Sequence, residues 1–273
     1  MNELLLRSYL RTLRLPIMLA EYPTIIRQCA EAGLDYEAFL TRLAEREVST
    51  RSIKASRRRL ELGNFPANKE LADFKFAAVP NLNKHKILEL ARCEFIQRRA
   101  NLVLLGAPGL GKTHLSIGIG REACRRGYRV KFFTASQLVN TYLEAREERQ
   151  ILRLEANIRR HDLIIVDELG YLPLDKHGAE HLFGFFSQCY ERLSLIITTN
   201  LPFSEWPETF AGDERLAGAL LDRLTHRVHI VQLTGDSYRL QSSLGDDHQA
   251  DLTHHEQAND PEQHPSDDSQ ETT

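Results

Sequence analysis

No uninterrupted apolar run in the 273 residues approaches the roughly 20 needed to span a bilayer. The opening segment Met1-Asn2-Glu3-Leu4-Leu5-Leu6-Arg7 carries an acid before its leucines and breaks at Arg7, so it does not read as a signal peptide. With both signals missing, the expected location is the cytoplasm and no membrane partner is expected. Cysteine is scarce: Cys29, Cys93, Cys124 and Cys189 form no C-x-x-C pair, and all lie within apolar patterns. That argues against a disulfide framework or a cysteine-zinc motif and for buried, reduced thiols. Internal repeats are absent. Lys and Arg are missing from residues 246–273, which hold nine acids. The whole chain stands at −3, so residues 1–245 carry +6, a balance that permits a polyanionic partner without proving one.

What is present suffices for one sizeable core and a small accessory domain. Residues 1–65 are expected to form an all-helical domain. Leu6, Tyr9, Leu10 and Leu13 recur at helical spacing, and Pro16 suits the first turn of a second helix. Asp35 is placed to cap a third helix with Phe39, Leu40 and Leu43 as its apolar face. That pattern fades into Arg51, Lys54, Arg57, Arg58 and Arg59 before Gly63-Asn64-Phe65-Pro66, and a linker is expected through about residue 80.

Residues 66–245 read as an α/β domain with that linker at its start. Short apolar runs at 102–105, 130–133, 163–166, 195–198 and 228–233 alternate with helical-length segments. Each run is too short for a helix and several are continuously apolar, as in strands buried on both faces, which predicts a parallel five-stranded sheet between helices. Residues 246–273 are acidic and polar with almost nothing apolar, cannot offset their ordering entropy, and are expected to be a disordered tail.

The first strand runs into Gly106-Ala107-Pro108-Gly109-Leu110-Gly111-Lys112-Thr113 and then an amphipathic segment, G-x-x-x-x-G-K-T in its strand–loop–helix context. The glycines let backbone N–H groups converge on phosphate oxygens, and the following helix aims its positive end there. Lys112 can then reach the β- and γ-phosphates of ATP while the Thr113 hydroxyl ligates Mg2+. The chance alternative is an ordinary Gly-rich turn followed by Lys-Thr.

The third apolar run ends in Asp167-Glu168, two carboxylates at the strand edge where doubly wound sheets bind ligands. Asp167 suits Mg2+ and Glu168 suits polarisation of an attacking water, against the bland alternative of a capping Asp and a solvated Glu. Asn200 ends the fourth run at the same edge, where it can bond that water or the γ-phosphate. Arg223, in Leu221-Asp222-Arg223-Leu224, reads either as a finger reaching a neighbouring subunit's nucleotide or as the partner of Asp222 or Glu214.

These motifs together resemble a known family. The order G-A-P-G-L-G-K-T-H-L, L-I-I-V-D-E-L-G-Y-L-P, I-T-T-N-L-P-F-S-E-W, L-L-D-R-L and G-D-S-Y-R-L is similar to the IstB-type transposition helper ATPases. These are AAA+ proteins related to the DnaC-type helicase loaders. The resemblance covers about Leu71 to Leu240, and the helical start also resembles that family's N-terminal domain. It implies an AAA+ domain binding MgATP with Gly106–Thr113 and neighbouring His114 as Walker A, Asp167-Glu168 as Walker B, Asn200 as sensor 1 and Arg223 as arginine finger. Arg239 falls where a second sensor sits. It further implies homo-oligomers assembled on double-stranded target DNA in the ATP state, partnered with the cognate transposase and reset by hydrolysis.

Arg146, Arg149, Arg153 and Arg160 are spaced as one helical stripe between strands two and three, a region that faces nucleic acid in related proteins. Interleaved Glu144, Glu147, Glu148 and Glu155 support a solvated, salt-bridged face equally well. The Arg51–Arg59 cluster is a competing DNA site or a face for the transposase. Trp206 reads as core. A helicase loader, or a DNA scaffold that holds ATP without turnover, are the alternative functions. A small-molecule P-loop kinase fits less well, because the strand-end Asp-Glu and Asn200 suit water attack.

Overall fold

The computed structural model describes residues 2–171, 173–235 and 237. The acidic stretch 246–273 and Arg239 lie outside them. Three helices open the chain: α1 (Asn2–Thr12), α2 (Pro16–Glu31) and α3 (Tyr36–Leu62). Next come α4 (Lys84–Leu90), α5 (Glu94–Gln97), β1 (Asn101–Gly106), α6 (Lys112–Arg125), β2 (Val130–Thr134), α7 (Ala135–Glu147) and α8 (Ile151–Ile158). The chain continues through β3 (Leu163–Leu169), α9 (Lys176–Cys189), β4 (Ser194–Thr199), α10 (Trp206–Thr209), α11 (Glu214–Thr225) and β5 (Val228–Leu233).

The five strands form one parallel sheet in the order β2-β3-β4-β1-β5. Alternation along each central strand feeds two cores. Leu102, Leu104, Leu163, Ile165 and Ile196 face α6, whereas Val103, Ile164, Val166, Leu195 and Ile197 face α7, α9 and α11. Burying one such side chain fully contributes about 1.5–3 kcal/mol, so the continuous apolar runs make this sheet the most heavily stabilised part of the molecule. Trp206 is buried in the second core, and all four cysteines are free and buried, as expected. Among the described residues no helix is long and apolar enough to cross a membrane.

The helical start follows its local signals. Pro16 opens α2, and Asp35 caps α3 by accepting a 2.8 Å hydrogen bond from the Ala38 N–H. The buried faces differ from the periodicity. Leu10, Tyr22, Ile25, Cys29 and Leu43 make the core, but Tyr9, Leu13 and Leu40 are exposed. Three packed helices enclose a single thin core, and each carries more apolar residues than its two neighbours can cover.

α3 does not fade in its basic stretch but runs unbroken to Leu62. There Arg51 pairs with Glu47 and Arg57 with Glu61, and Arg59 donates to the Cys124 carbonyl of α6 at 2.8 Å. Arg51, Lys54, Arg57 and Arg58 nonetheless remain exposed along this helix. The expected linker is packed as well. Phe74 and Val79 are buried in the α6-side core, and Phe65, Leu71 and Phe76 pack against it. Its aromatic content, not its prolines, decides that behaviour.

A candidate nucleotide site at the carboxyl edge of the sheet

Because β4 lies between β1 and β3, the carboxyl ends of these three strands are neighbours. β1 leads into the loop Gly106–Gly111 and the first turn of α6, beginning at Lys112. Ala107, Pro108 and Leu110 fill the loop between its glycines, and Leu110 is buried. Gly111 sits at φ +85°, left-handed backbone that costs glycine least. A Cβ there would also come 2.6 Å from a ring carbon of Phe74. The Lys112 ammonium lies inside the loop, donating to the carbonyls of Gly106 at 2.6 Å and Ala107 at 2.8 Å. It is thus presented where a phosphate cradled by the loop would lie. His114 sits one residue beyond Thr113, with its Nε2 2.8 Å from the Glu70 carbonyl.

Across the edge, the Asp167 carboxylate accepts from the Thr113 hydroxyl at 3.0 and 3.1 Å and from the Thr198 hydroxyl at 2.6 Å. Burial raises the Asp167 pKa above its ordinary value, although the bonds from Thr198 and Thr113 favour the ionised form. Thr113 and Asp167 are hard oxygen donors a few ångströms apart, a set that fits Mg2+ shared with phosphate oxygens.

Glu168 departs from its strand. Between Val166 and Leu169, β3 advances three residues while β4 advances two, from Ile197 to Thr199. Glu168 is the extra residue, at φ +60°, an arrangement costing about 1–3 kcal/mol for a non-glycine residue. The bulge has a clear consequence. It buries Asp167 and Leu169 and leaves Glu168 exposed, where regular alternation would turn its carboxylate into the second core. Thr198 braces the bulge, accepting from the Glu168 N–H at 2.9 Å while donating to Asp167. Asn200 follows β4 directly, half-buried, between the loop and the carboxylates.

Sequence reasoning missed two groups. Thr198 lies within the run Ile197-Thr198-Thr199, and its side-chain polarity in a buried strand was the available signal. Phe74, Ala78 and Val79 line a cavity of the packed segment together with Gly109, Leu110 and Gly111. The run Phe74-Lys75-Phe76 was its signal.

Arg223 lies elsewhere. Its guanidinium donates to the Ala219 carbonyl at 2.7 Å and stands 4.9 Å from the Phe183 ring centre. Neither Asp222 nor Glu214 holds it in an ion pair among the described residues. It shares a small cleft with Asn101, the first residue of β1. The length of that strand, about 17 Å at the usual rise, separates it from its own phosphate-type loop.

The four arginines expected on one helical stripe are not on one helix. Arg146 is in the last turn of α7, and Arg149 ends that helix in the left-handed region at φ +57°. Arg153 belongs to α8, and Arg160 lies beyond its end. The chain reverses at Arg149 because Gln150 N–H bonds back to the Ala145 carbonyl and closes α7. Arg153 and Arg160 instead line a cleft between α7 and α8 with Glu144 and Glu148.

Comparison with known proteins agrees with this architecture. Residues 8–245 match the family described as IstB-like ATP binding protein. The chain is 37% identical over 236 residues to an ATP-binding protein of insertion sequence IS5376 from Geobacillus stearothermophilus, covering 86% of this chain and 94% of that one. It is 36% identical over 218 residues to an insertion sequence IS21 ATP-binding protein from Pseudomonas aeruginosa, covering 80% and 82%. AMPPCP-bound DnaA from Aquifex aeolicus shares the fold, with TM-score 0.53 and 20% identity over 63% of this chain and 52% of that one. DnaI does so with TM-score 0.51 and 16% identity, over 65% and 94%. A parallel five-stranded sheet, a helical start and relatives that match it over most of their length lead to one assignment: this chain belongs to the IstB-like ATP-binding protein family.

Proposed function

We propose that this chain is an ATPase that assembles on double-stranded target DNA as a homo-oligomer and assists the cognate transposase of an insertion sequence. One observation carries the reading: Lys112, Thr113, Asp167 and Glu168 converge at the carboxyl edge of three adjacent strands. In this reading residues 1–65 are the helical domain, residues 66–245 the ATPase domain and residues 246–273 an acidic tail. The backbone of Gly106–Gly111 holds the phosphates, and Lys112 exchanges its two carbonyl bonds for β- and γ-phosphate oxygens. Thr113 and Asp167 hold Mg2+, which neutralises charge on those oxygens when bound. The cavity lined by Phe74, Ala78 and Val79 takes the nucleobase. Glu168 accepts a hydrogen bond from water and aligns it for in-line attack, with Asn200 bonding the same water or the γ-phosphate.

Arg223 stands too far from its own loop to serve it, which supports a role at a neighbour's site. Among the described residues the guanidinium lies over Phe183 and on a backbone carbonyl, not on a carboxylate, so its positive charge is open to the γ-phosphate of that neighbour. DNA contact is assigned to the α7–α8 region through Arg153 and Arg160, with Arg146 and Arg149 beside them. Insertion-sequence relatives support the transposition role over helicase loading.

Mixing tests the shared site. Arg223→Ala keeps nucleotide binding and loses hydrolysis, while Lys112→Ala loses binding but still offers Arg223. Co-assembled, the two inactive proteins regain partial ATPase activity. A demonstrated mixed oligomer that stays inactive removes Arg223 from the site. DNA affinity that rises with ATP and falls steeply with salt supports the polyanion role, and binding indifferent to both overturns it.

A further inference from the structure

The segment between α3 and α4 crosses α6 at two glycines and the end of the preceding loop at a third. A Cβ on Gly120 would meet a ring carbon of Phe65 at 3.0 Å, one on Gly118 would meet Leu71 at 2.8 Å, and one on Gly111 would meet Phe74 at 2.6 Å. The segment therefore lies directly on the helix that follows the phosphate-type loop, ending as one wall of the cavity beside that loop.

A single acid ties down the middle of this crossing. Glu70 Oε1 accepts from Arg121 Nε at 2.9 Å, Arg121 Nη2 at 2.7 Å and Arg125 Nη2 at 2.6 Å, all from α6. The Glu70 carbonyl faces His114 Nε2 at 2.8 Å, so that nitrogen carries the proton and the first turn of α6 is joined too. Glu70 and Arg121 are mostly enclosed, with side chains 26% and 15% exposed, so this anchor is shielded from competing water. Burial pushes the Glu70 carboxyl up, but the bonds from Arg125 and Arg121 prevail and hold it below its ordinary value. Phe74 follows four residues later, after the short 3₁₀ turn Leu71–Asp73. Glu70 itself does not line the cavity.

We propose that Glu70 is a positioning residue for the nucleotide, latching the crossing segment to α6 so that Phe74 and Val79 form a fixed wall for the nucleobase. The inference rests on the phosphate-site reading above, and adds that base affinity is set from outside the site by an acid joined to α6. Loosening the latch costs binding of the base while leaving the phosphate loop intact.

The test compares two ligands on the full-length protein, ATP and inorganic tripolyphosphate, each with Mg2+. Glu70→Gln removes the charge that holds both arginines. It weakens ATP about tenfold, the scale of one charge-assisted hydrogen bond, leaves tripolyphosphate affinity unchanged, and raises KM with little change in kcat. Arg125→Ala, at the more exposed arm of the latch, gives a smaller loss in the same direction and covers the case in which Glu70→Gln does not fold. ATP affinity equal to wild type in both folded variants overturns the proposal. Equal weakening of both ligands overturns it as well, since that reports general loosening. Wild-type protein that binds neither ligand overturns the phosphate-site reading, and the latch with it.

Discussion

Two buried carboxylates, one in the helical start and one in the sheet, show how differently these regions are built. Glu47 of α3, with its side chain 4% exposed, accepts from the Ile17 and Met18 N–H groups at 2.9 Å and pairs with Arg51 at 2.7 Å. It caps α2 from a neighbouring helix, in place of Leu15, which makes no side-chain cap. Burial raises its pKa, yet the two backbone bonds and Arg51 outweigh that and hold it below the ordinary value. Asp167 is equally buried, and among the described residues its hydrogen bonds come from two hydroxyls; there burial prevails and the pKa rises. Glu47 meets both a cation and two N–H donors inside its own fold, whereas the hydrogen bonds to Asp167 come from hydroxyls. A satisfied carboxylate holds structure together. An under-compensated one at a sheet edge suits a cation from outside.

The strongest way to break this comparison is Lys112→Ala. It removes the charge held on the Gly106 and Ala107 carbonyls, and nucleotide binding should be lost in a direct titration while the helical start is untouched. Wild-type ATP affinity in that variant would end the functional side of the contrast. Next in size is Glu168→Gln, expected to keep ATP affinity but slow turnover about a hundredfold or more, because the amide polarises water poorly. Single-turnover hydrolysis measures it, and an unchanged rate would show that the bulge aims Glu168 at nothing reactive.

Glu47→Ala acts on the other region. It leaves two N–H groups of α2 and the Arg51 charge without their partner, and should cost about 1–2 kcal/mol, the usual scale for a lost cap. Hydrogen exchange should locate that loss in α1, α2 and the first half of α3. Exchange that quickens equally in β1 and β3 would mean that the two regions unfold as one.

The smallest effect is in pH, and its sign differs between the two acids. The lowered pKa of Glu47 makes its contribution complete above the unfolded value and lost as pH falls through the folded one. The raised pKa of Asp167 makes its ionised form a cost to the ligand-free fold. Protonation relieves that cost as pH falls through the folded value, while Mg2+-dependent affinity drops over the same range. Asp167→Asn should remove the second behaviour and leave the first. Ligand-free unfolding midpoints, followed with pH in both proteins, distinguish them.

Much of this molecule is legible residue by residue. Runs such as Leu163-Ile164-Ile165-Val166 can sit only where both faces are covered, which places the central strands. The edge strands β2 and β5 are legible as short apolar runs between helical-length segments, and G-x-x-x-x-G-K-T announced the loop at the edge of the sheet. Local chemistry also determined the Asp35 cap, which depends on atoms within one turn, and Pro16 marked the start of α2 although the first N–H groups of that helix are satisfied by distant Glu47. The buried faces of α1 and α3 were harder to read. Helical spacing says which residues share a side, but only neighbouring helices decide which side is covered, and Leu13 and Leu40 stayed outside.

What only the tertiary structure decided depends on contacts between residues far apart in the chain. The bulge that exposes Glu168 is set by the β3–β4 pairing and braced by Thr198, 30 residues away. The break at Arg149 divides a run of arginines that spacing alone joined into one stripe. The segment around Glu70 and Phe74 becomes part of the candidate site because α6 offers it glycines and two arginines, which composition between two helices does not reveal. A sequence determines periodicity and local hydrogen bonding directly, because those act within a few residues. It determines long-range partners only through the fold, where the free energy of packing selects one arrangement among many of similar local quality.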